Sequence, residues 1–333
     1  MPETPSIEDI IEARDAIAGI AVRTPLVLSA LSGCTPDDVL LKLETLQPVG
    51  SFKLRGAAFA ISRLDDAQKR AGVVCFSTGN HGRAVAYAAR AQGIRATICL
   101  PSLASPVKRA AIEALAADIR VPGATQDEAE REVERLVREE GMTDIPPFDH
   151  PDVIAGQGTI ALELLEDRPD LETIVVPLSG GGLLCGIAIA AKALKPTIRI
   201  VGVTMARGAA MVASLEAGKP VDVPELPTLC DALVGGIGLG NRYTLRLCQE
   251  YMDEVITLSE QEIYRGMRSL LFDERLIAEP SSALGHAAMI AGRLQPTGPT
   301  ALIVSGKNVD MQLIRRVING EPITLGDETV APD

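Results

Sequence analysis

The feature that most constrains this chain is an alternation. Short β-branched runs are each followed by an alanine-rich stretch with helical spacing. Val73 to Ser77 reads as a buried strand and Gly82 to Gln92 as a helix. Ala96 to Leu100 and Val107 to Ala117 repeat the pair. Thr173 to Leu178, Leu183 to Ala193 and Ile198 to Thr204 read as strand, helix and strand. Thr300 to Val304 is a last strand, before a helix from Val309 to Ile318. A helix between two strands lets the second lie parallel to the first, with helices covering both faces of the sheet. The fold class is therefore α/β, built on open, twisted parallel sheets. At 333 residues the chain has room for two such units. The block 72–150 carries its own strand–helix repeats and closes on the turn-rich Ile145-Pro146-Pro147-Phe148-Asp149-His150. The expectation is a large domain from 1–71 and 151–333, and a small mobile one from 72–150.

Charge and composition narrow the function. The net charge is −12, which argues against a nucleic-acid partner. No apolar run is long enough for a bilayer, and the polar start from Met1 to Asp15 is unlike a signal peptide. These point to a soluble, cytoplasmic protein. Cys34, Cys75, Cys99, Cys185, Cys230 and Cys248 are scattered and read as reduced core residues. His81, His150 and His286 are too far apart for zinc-type spacing. The sign-alternating stretch from Gln126 to Glu140 reads as a solvated helix, and the polar tail after Glu321 as frayed.

Four segments could carry chemistry. In Gly50-Ser51-Phe52-Lys53-Leu54-Arg55-Gly56, Lys53 opens a helical run between two apolar residues. A lone lysine is usually a surface charge; partial burial would lower its pKa and make the amine a nucleophile for carbonyls. Ser77-Thr78-Gly79-Asn80-His81-Gly82 joins a strand to a helix, where unpaired N–H groups can seat a carboxylate. An ordinary N-cap turn is the alternative. Ser179-Gly180-Gly181-Gly182 occupies the same kind of junction and suits a phosphate. Its spacing fits neither a dinucleotide fingerprint nor a Walker A loop. Ser305-Gly306-Lys307-Asn308 puts a hydroxyl at a strand's C-terminal end, where open sheets place ligand contacts. An amine, a carboxylate nest, a phosphate cup and a hydroxyl together suit a phosphorylated aldehyde cofactor with an amino-acid substrate.

These segments, in this order, resemble the fold-type II pyridoxal-phosphate enzymes, and most closely their threonine dehydratase and serine racemase branch. Ile154-Ala155-Gly156-Gln157-Gly158-Thr159 and Glu279-Pro280-Ser281-Ser282-Ala283 also match the pattern. The resemblance implies two open parallel-sheet domains with pyridoxal 5'-phosphate in the cleft, commonly in a homodimer. It implies a Schiff base on Lys53, which then acts as general base. Phe52 would pack beside the ring and Asn80 would bond its 3-hydroxyl. Ser179, Gly180, Gly181 and Gly182 would hold the phosphate, Ser305 would face the ring nitrogen, and Glu279 would join the cofactor site. Ser77, Thr78, Gly79, Asn80 and His81 would line the substrate site. The implied reaction is β-elimination of water from a β-hydroxy-α-amino acid, giving a keto acid and ammonia. A serine or aspartate racemase, or a 3-hydroxyaspartate dehydratase, is the alternative.

Departures from the family refine this. Thr78 stands where racemases use a second serine as the opposite-face acid/base, which puts efficient racemisation in doubt. Many members carry a divalent-metal site of acidic residues here, but Thr204 to Ala210 holds no carboxylate, so none is expected. Lys307 stands where glycine is usual; it could touch the phosphate or the substrate, or simply face solvent. With the Ser305-Gly306-Lys307-Asn308-Val309-Asp310 ending, these features resemble the hydroxyectoine-utilisation dehydratases.

Overall fold

A computed structural model describes residues 4–34, 38–77, 79–102, 106–124 and 126–332. Its strands, in chain order, are β1 (Leu26–Leu28), β2 (Val39–Leu43), β3 (Val73–Phe76), β4 (Ala96–Cys99), β5 (Asp118–Arg120) and β6 (Thr143–Asp144). They continue with β7 (Thr173–Pro177), β8 (Arg199–Met205), β9 (Glu254–Leu258), β10 (Thr300–Val304), β11 (Ile323–Leu325) and β12 (Glu328–Val330). One sheet has the order β1-β2-β10-β7-β8-β9 and is parallel except for its β1 edge. The other has the order β5-β4-β3-β6 and is parallel throughout. The chain is α/β, as its alternation predicts. Every residue of β2, β7 and β10 is buried, the pattern of strands with both faces covered.

Long-range pairing matters most for the site. All five residues of β10 pair with β2, although about 260 residues separate them. The segments leaving the C-terminal ends of these two strands, Glu44 to Lys53 and Ser305 to Asn308, are therefore brought together. The four-stranded sheet draws all its strands from residues 73–144.

Three expectations are corrected. The helix Gln126–Glu140 is solvated on one side only. Ala129, Val133 and Leu136 are buried and pack with Val74, Cys99 and Met142 against the smaller sheet. Their spacing of four and three residues is a helical stripe that the charges mask. The tail after Glu321 is not frayed. It forms the antiparallel pair β11–β12, in which Ile323 faces Val330. Both side chains are buried in the core with Ile314 and Val317. Gln261 clasps Ala331, donating to its carbonyl at 2.6 Å and accepting from its N–H at 3.2 Å.

The helix expected to run to Ala117 ends at Glu113, since the chain turns through Ala116 at φ 61°. The five described cysteine side chains are free and buried; that of Cys34 lies outside the described part. Cys185 and Cys248 lie with sulfurs 3.6 Å apart, a proximity their spacing of 63 residues does not announce.

Beneath the helix Lys53–Ser62 lies a buried group of four charges. Arg55 forks onto Glu44, its Nε and Nη2 donating at 2.9 and 2.8 Å. Its Nη1 and Nη2 also donate to Glu163 at 2.6 and 2.9 Å. Lys42 donates to Glu163 at 2.5 Å and to the Thr24 carbonyl at 2.7 Å. Two cations thus face two anions. Burial pushes the Lys42 amine down, with Glu163 opposing it. Burial would push the Glu44 carboxyl up, but the Arg55 guanidinium holds it below its ordinary value.

Candidate active site

Lys53 is the first residue of the helix Lys53–Ser62. Three backbone contacts set its position. Ser51 bridges Gly306, the Phe52 N–H donates to the Ser305 carbonyl at 3.0 Å, and the Lys307 N–H donates to the Gly50 carbonyl at 2.9 Å. The first and fourth sequence segments are in effect one structure. Lys53 Nζ donates to the Pro147 carbonyl at 2.6 Å and lies 5.2 Å from the centre of the Phe52 ring. Burial lowers its pKa from 10.5 to about 8, and Glu279 opposes that shift.

The second segment leads from β3 into the helix Asn80–Ala91, with the Gly79 N–H on Ser77 Oγ at 3.2 Å. Thr78 lies outside the described residues. Asn80 donates to both carboxylate oxygens of Glu279, at 2.9 and 3.0 Å, and accepts from the Asn308 amide. His81 is buried and bonds the Ile145 carbonyl through Nε2 at 2.6 Å. A carbonyl only accepts, so Nε2 carries the proton and Nδ1 is left without a partner. Burial first, and then the Lys53 charge, push His81 down to about 3, so it is neutral at physiological pH.

The glycine segment follows β7 and opens the helix Gly182–Leu194. Gly181 has φ 89°, and no side chain caps the helix end. A Cβ on Gly180 would stand 2.4 Å from the Phe148 ring, and one on Gly182 would stand 2.9 Å from the Phe148 backbone. Only glycine permits this close approach. Ser179 Oγ donates to the Leu233 carbonyl at 3.0 Å. Ser305 follows β10, buried, 3.0 Å from Ser282 Oγ, which also bonds both the N–H and the carbonyl of Gly306.

The structure therefore gathers Phe52, Lys53, Asn80, Glu279 and Ser305 around the zipped loops. It seats Ser179 to Gly182 at an uncapped helix end, beside the segment whose Pro147 carbonyl holds Lys53. Lys307 is exposed. Sequence reasoning missed several parts. Pro147 holds the lysine, Phe148 lies across the glycines, and Asn308 ties Asn80 to the Val49 carbonyl. Asp149 accepts from the N–H groups of Arg242, Tyr243 and Thr244 and so caps the helix Thr244–Tyr251. The only signal for this connector was its run of turn residues.

A family model described as "Pyridoxal-phosphate dependent enzyme" matches residues 17–306. The chain belongs to that family. It is 50% identical over 317 residues to a "Putative threonine dehydratase" of Sinorhizobium fredii, covering 95% of this chain and 96% of the relative. It is 38% identical to an L-threonine ammonia-lyase of Thermotoga maritima, covering 94% of this chain and 78% of that one. Among solved structures it is similar to maize serine racemase, with a TM-score of 0.89, 34% identity and coverage of 95% and 98%. It is also similar to the serine racemase of Dictyostelium discoideum, with a TM-score of 0.85, 34% identity and coverage of 92% and 100%. A solved threonine deaminase matches with a TM-score of 0.84, 36% identity and coverage of 92% and 99%. The fold is that of the fold-type II enzymes, and the cofactor is pyridoxal phosphate.

The residues present fit this cofactor. Lys53 is an amine of depressed pKa whose hydrogen-bond partner is a carbonyl, as attack on an aldehyde requires. The Gly180–Gly182 turn offers uncapped helix N–H groups, and Phe148 packs on it so closely that a Cβ at Gly180 or Gly182 would clash. Ser51 Oγ is a buried hydroxyl without a partner beside Gly306.

Proposed function

We propose that this chain is a pyridoxal-phosphate-dependent dehydratase. It would remove water from a β-hydroxy-α-amino acid and release a keto acid and ammonia. The observation that carries this reading is Lys53: a buried amine with depressed pKa, held by the Pro147 carbonyl and facing the charge of Glu279. The two relatives described above are named for the same chemistry on threonine.

When bound, pyridoxal phosphate supplies an electron sink for the pair left at Cα. Lys53 would hold the cofactor aldehyde, and its Nζ, when free, would take the Cα proton. The β-hydroxyl leaves as water, and the enamine product takes up water to yield keto acid and ammonia. Ser179 to Gly182 would hold the phosphate, Asn80 would bond the ring hydroxyl, and Phe52 would pack beside the ring. Glu279 orients Asn80 through its two bonds. Ser305, whose hydroxyl is fixed by Ser282, would offer the ring nitrogen a neutral partner. Ser77, Thr78, Gly79 and Asn80 seat the substrate carboxylate, and Thr78 is the candidate second acid/base. His81 supports this loop by tying it to Ile145. Residues 72–150 form the small domain, whose movement opens the cleft. The resemblance further supports a homodimer working in the cytoplasm. No helix among the described residues is long and apolar enough to cross a membrane.

The test is keto-acid formation by wild type and Lys53→Ala across serine, threonine and 3-hydroxyaspartate. Turnover should vanish in the variant. Near-wild-type turnover in the variant refutes the assignment. Loss of optical activity without keto acid replaces it with a racemase.

A further inference from the structure

Arg83 has no role in the reading above, yet its surroundings are unusual. It lies in the helix Asn80–Ala91 three residues after Asn80, so the two share a face. Its Nη1 donates to Asn308 Oδ1 at 2.6 Å, and the Asn308 amide donates to Asn80. The guanidinium therefore belongs to the cluster around Glu279 that also feels Lys53.

Among the described residues, no carboxylate pairs with Arg83 at ion-pair distance, and its one side-chain partner is a neutral amide oxygen. Its Nε is buried with no hydrogen-bond partner. Burial pushes its pKa down, and Glu279 opposes that from a distance. The buried arginine Arg55 saturates its fork with two carboxylates. A partly buried cation whose Nε–H is buried without a partner is under-satisfied, and an anion arriving beside it would complete it. Arginine's planar fork suits a carboxylate in particular.

Resting on the dehydratase reading above, we infer that Arg83 is a specificity-determining residue that binds a second carboxylate on the substrate's side chain. The substrate class is then a β-hydroxy-α-amino dicarboxylic acid rather than threonine or serine. The reaction balances as before. The Cα proton and the β-hydroxyl leave as water, one water then hydrolyses the released imine, and a dicarboxylic keto acid and ammonia remain. No redox partner is needed.

The experiment compares kcat/KM for 3-hydroxyaspartate and for threonine in the cofactor-loaded wild type, Arg83→Gln and Arg83→Lys. Glutamine keeps a donor for Asn308, and lysine keeps the charge without the fork. The cofactor's visible absorbance checks that each variant is folded and loaded. Wild type should prefer the dicarboxylate. The ratio of the two kcat/KM values should fall about 10- to 100-fold in Arg83→Gln, as expected for losing hydrogen bonds to a charged group. Arg83→Lys should recover part of it. Threonine turned over as well as the dicarboxylate by wild type overturns the inference and leaves the dehydratase standing. Equal losses for both substrates in Arg83→Gln also overturn it, because Arg83 then serves the shared α-carboxylate or merely braces Asn308. Keto acid from no hydroxy amino acid sinks the dehydratase reading and this inference with it.

Discussion

Glu163→Gln changes almost nothing in shape but converts the balanced group beneath the Lys53–Ser62 helix into one with a net positive charge. Glu163 accepts from Lys42 at 2.5 Å, from Arg55 at 2.6 and 2.9 Å, and from the Thr24 N–H at 3.3 Å. Glutamine can accept through one oxygen only, and its amide faces a cation. Lys42 and Arg55 are 0% and 2% exposed, so water cannot compensate. Breaking a buried pair by removing one partner costs about 3–5 kcal/mol. With each kcal/mol worth roughly 2–4 °C in a domain of some 150–250 residues, the midpoint should fall by roughly 6–20 °C. Thermal unfolding followed by far-UV circular dichroism, at fixed protein and cofactor concentration, measures it. The double variant Lys42→Met with Glu163→Gln removes one charge of each sign and should recover at least half of the loss. A Glu163→Gln midpoint within about 2 °C of wild type, or a double variant melting below the single one, refutes the charge-balance argument.

Two further outcomes test the cofactor site. Gly180→Ala places a Cβ 2.4 Å from the Phe148 ring, and overpacking of this kind costs about 1–3 kcal/mol. Pyridoxal phosphate affinity, titrated by absorbance, should weaken roughly 5- to 150-fold, and Phe148→Ala in the same chain should relieve it. Unchanged affinity in Gly180→Ala means the cradle is not the phosphate seat. The neutral Lys53 amine is the reactive form and its pKa is about 8. The rate at which cofactor-stripped protein captures pyridoxal phosphate should therefore rise with pH below 8 and level off above it. A plateau reached only near 10.5 means that burial does not depress the lysine.

The sequence made the strand–helix junctions legible because ligand-binding turns need glycine and small donors at fixed offsets from a strand. That singled out Lys53, Asn80, Gly180 and Ser305, and the structure places each at the expected kind of junction. Residues that act across long separations left no such trace. Glu163 lies 108 residues from Arg55 and Glu44 lies 11, and nothing local distinguishes either from a surface acid. Pro147 holds Lys53 from 94 residues away through a backbone carbonyl, which no side-chain pattern encodes. Arg83 looks like one more basic residue on a helix until the structure shows that no carboxylate among the described residues pairs with it. The β11–β12 hairpin was hidden because its buried pair, Ile323 and Val330, is set among polar neighbours.

The pairing of β2 with β10 also sets a schedule for the chain on the ribosome. β2 is made early and is buried on both faces, but its parallel neighbour emerges only about 260 residues later. At about 5–20 residues per second, that wait is roughly 13–50 s. The four-stranded sheet is complete at residue 144 and can fold during that interval. The six-stranded sheet cannot, since β10 fills the gap between β2 and β7. Until residue 304 is clear of the exit tunnel, both strands present an edge of unpaired backbone N–H and C=O groups. Newly made chains are therefore most in need of a chaperone while β10 is still awaited, after the smaller unit has already closed.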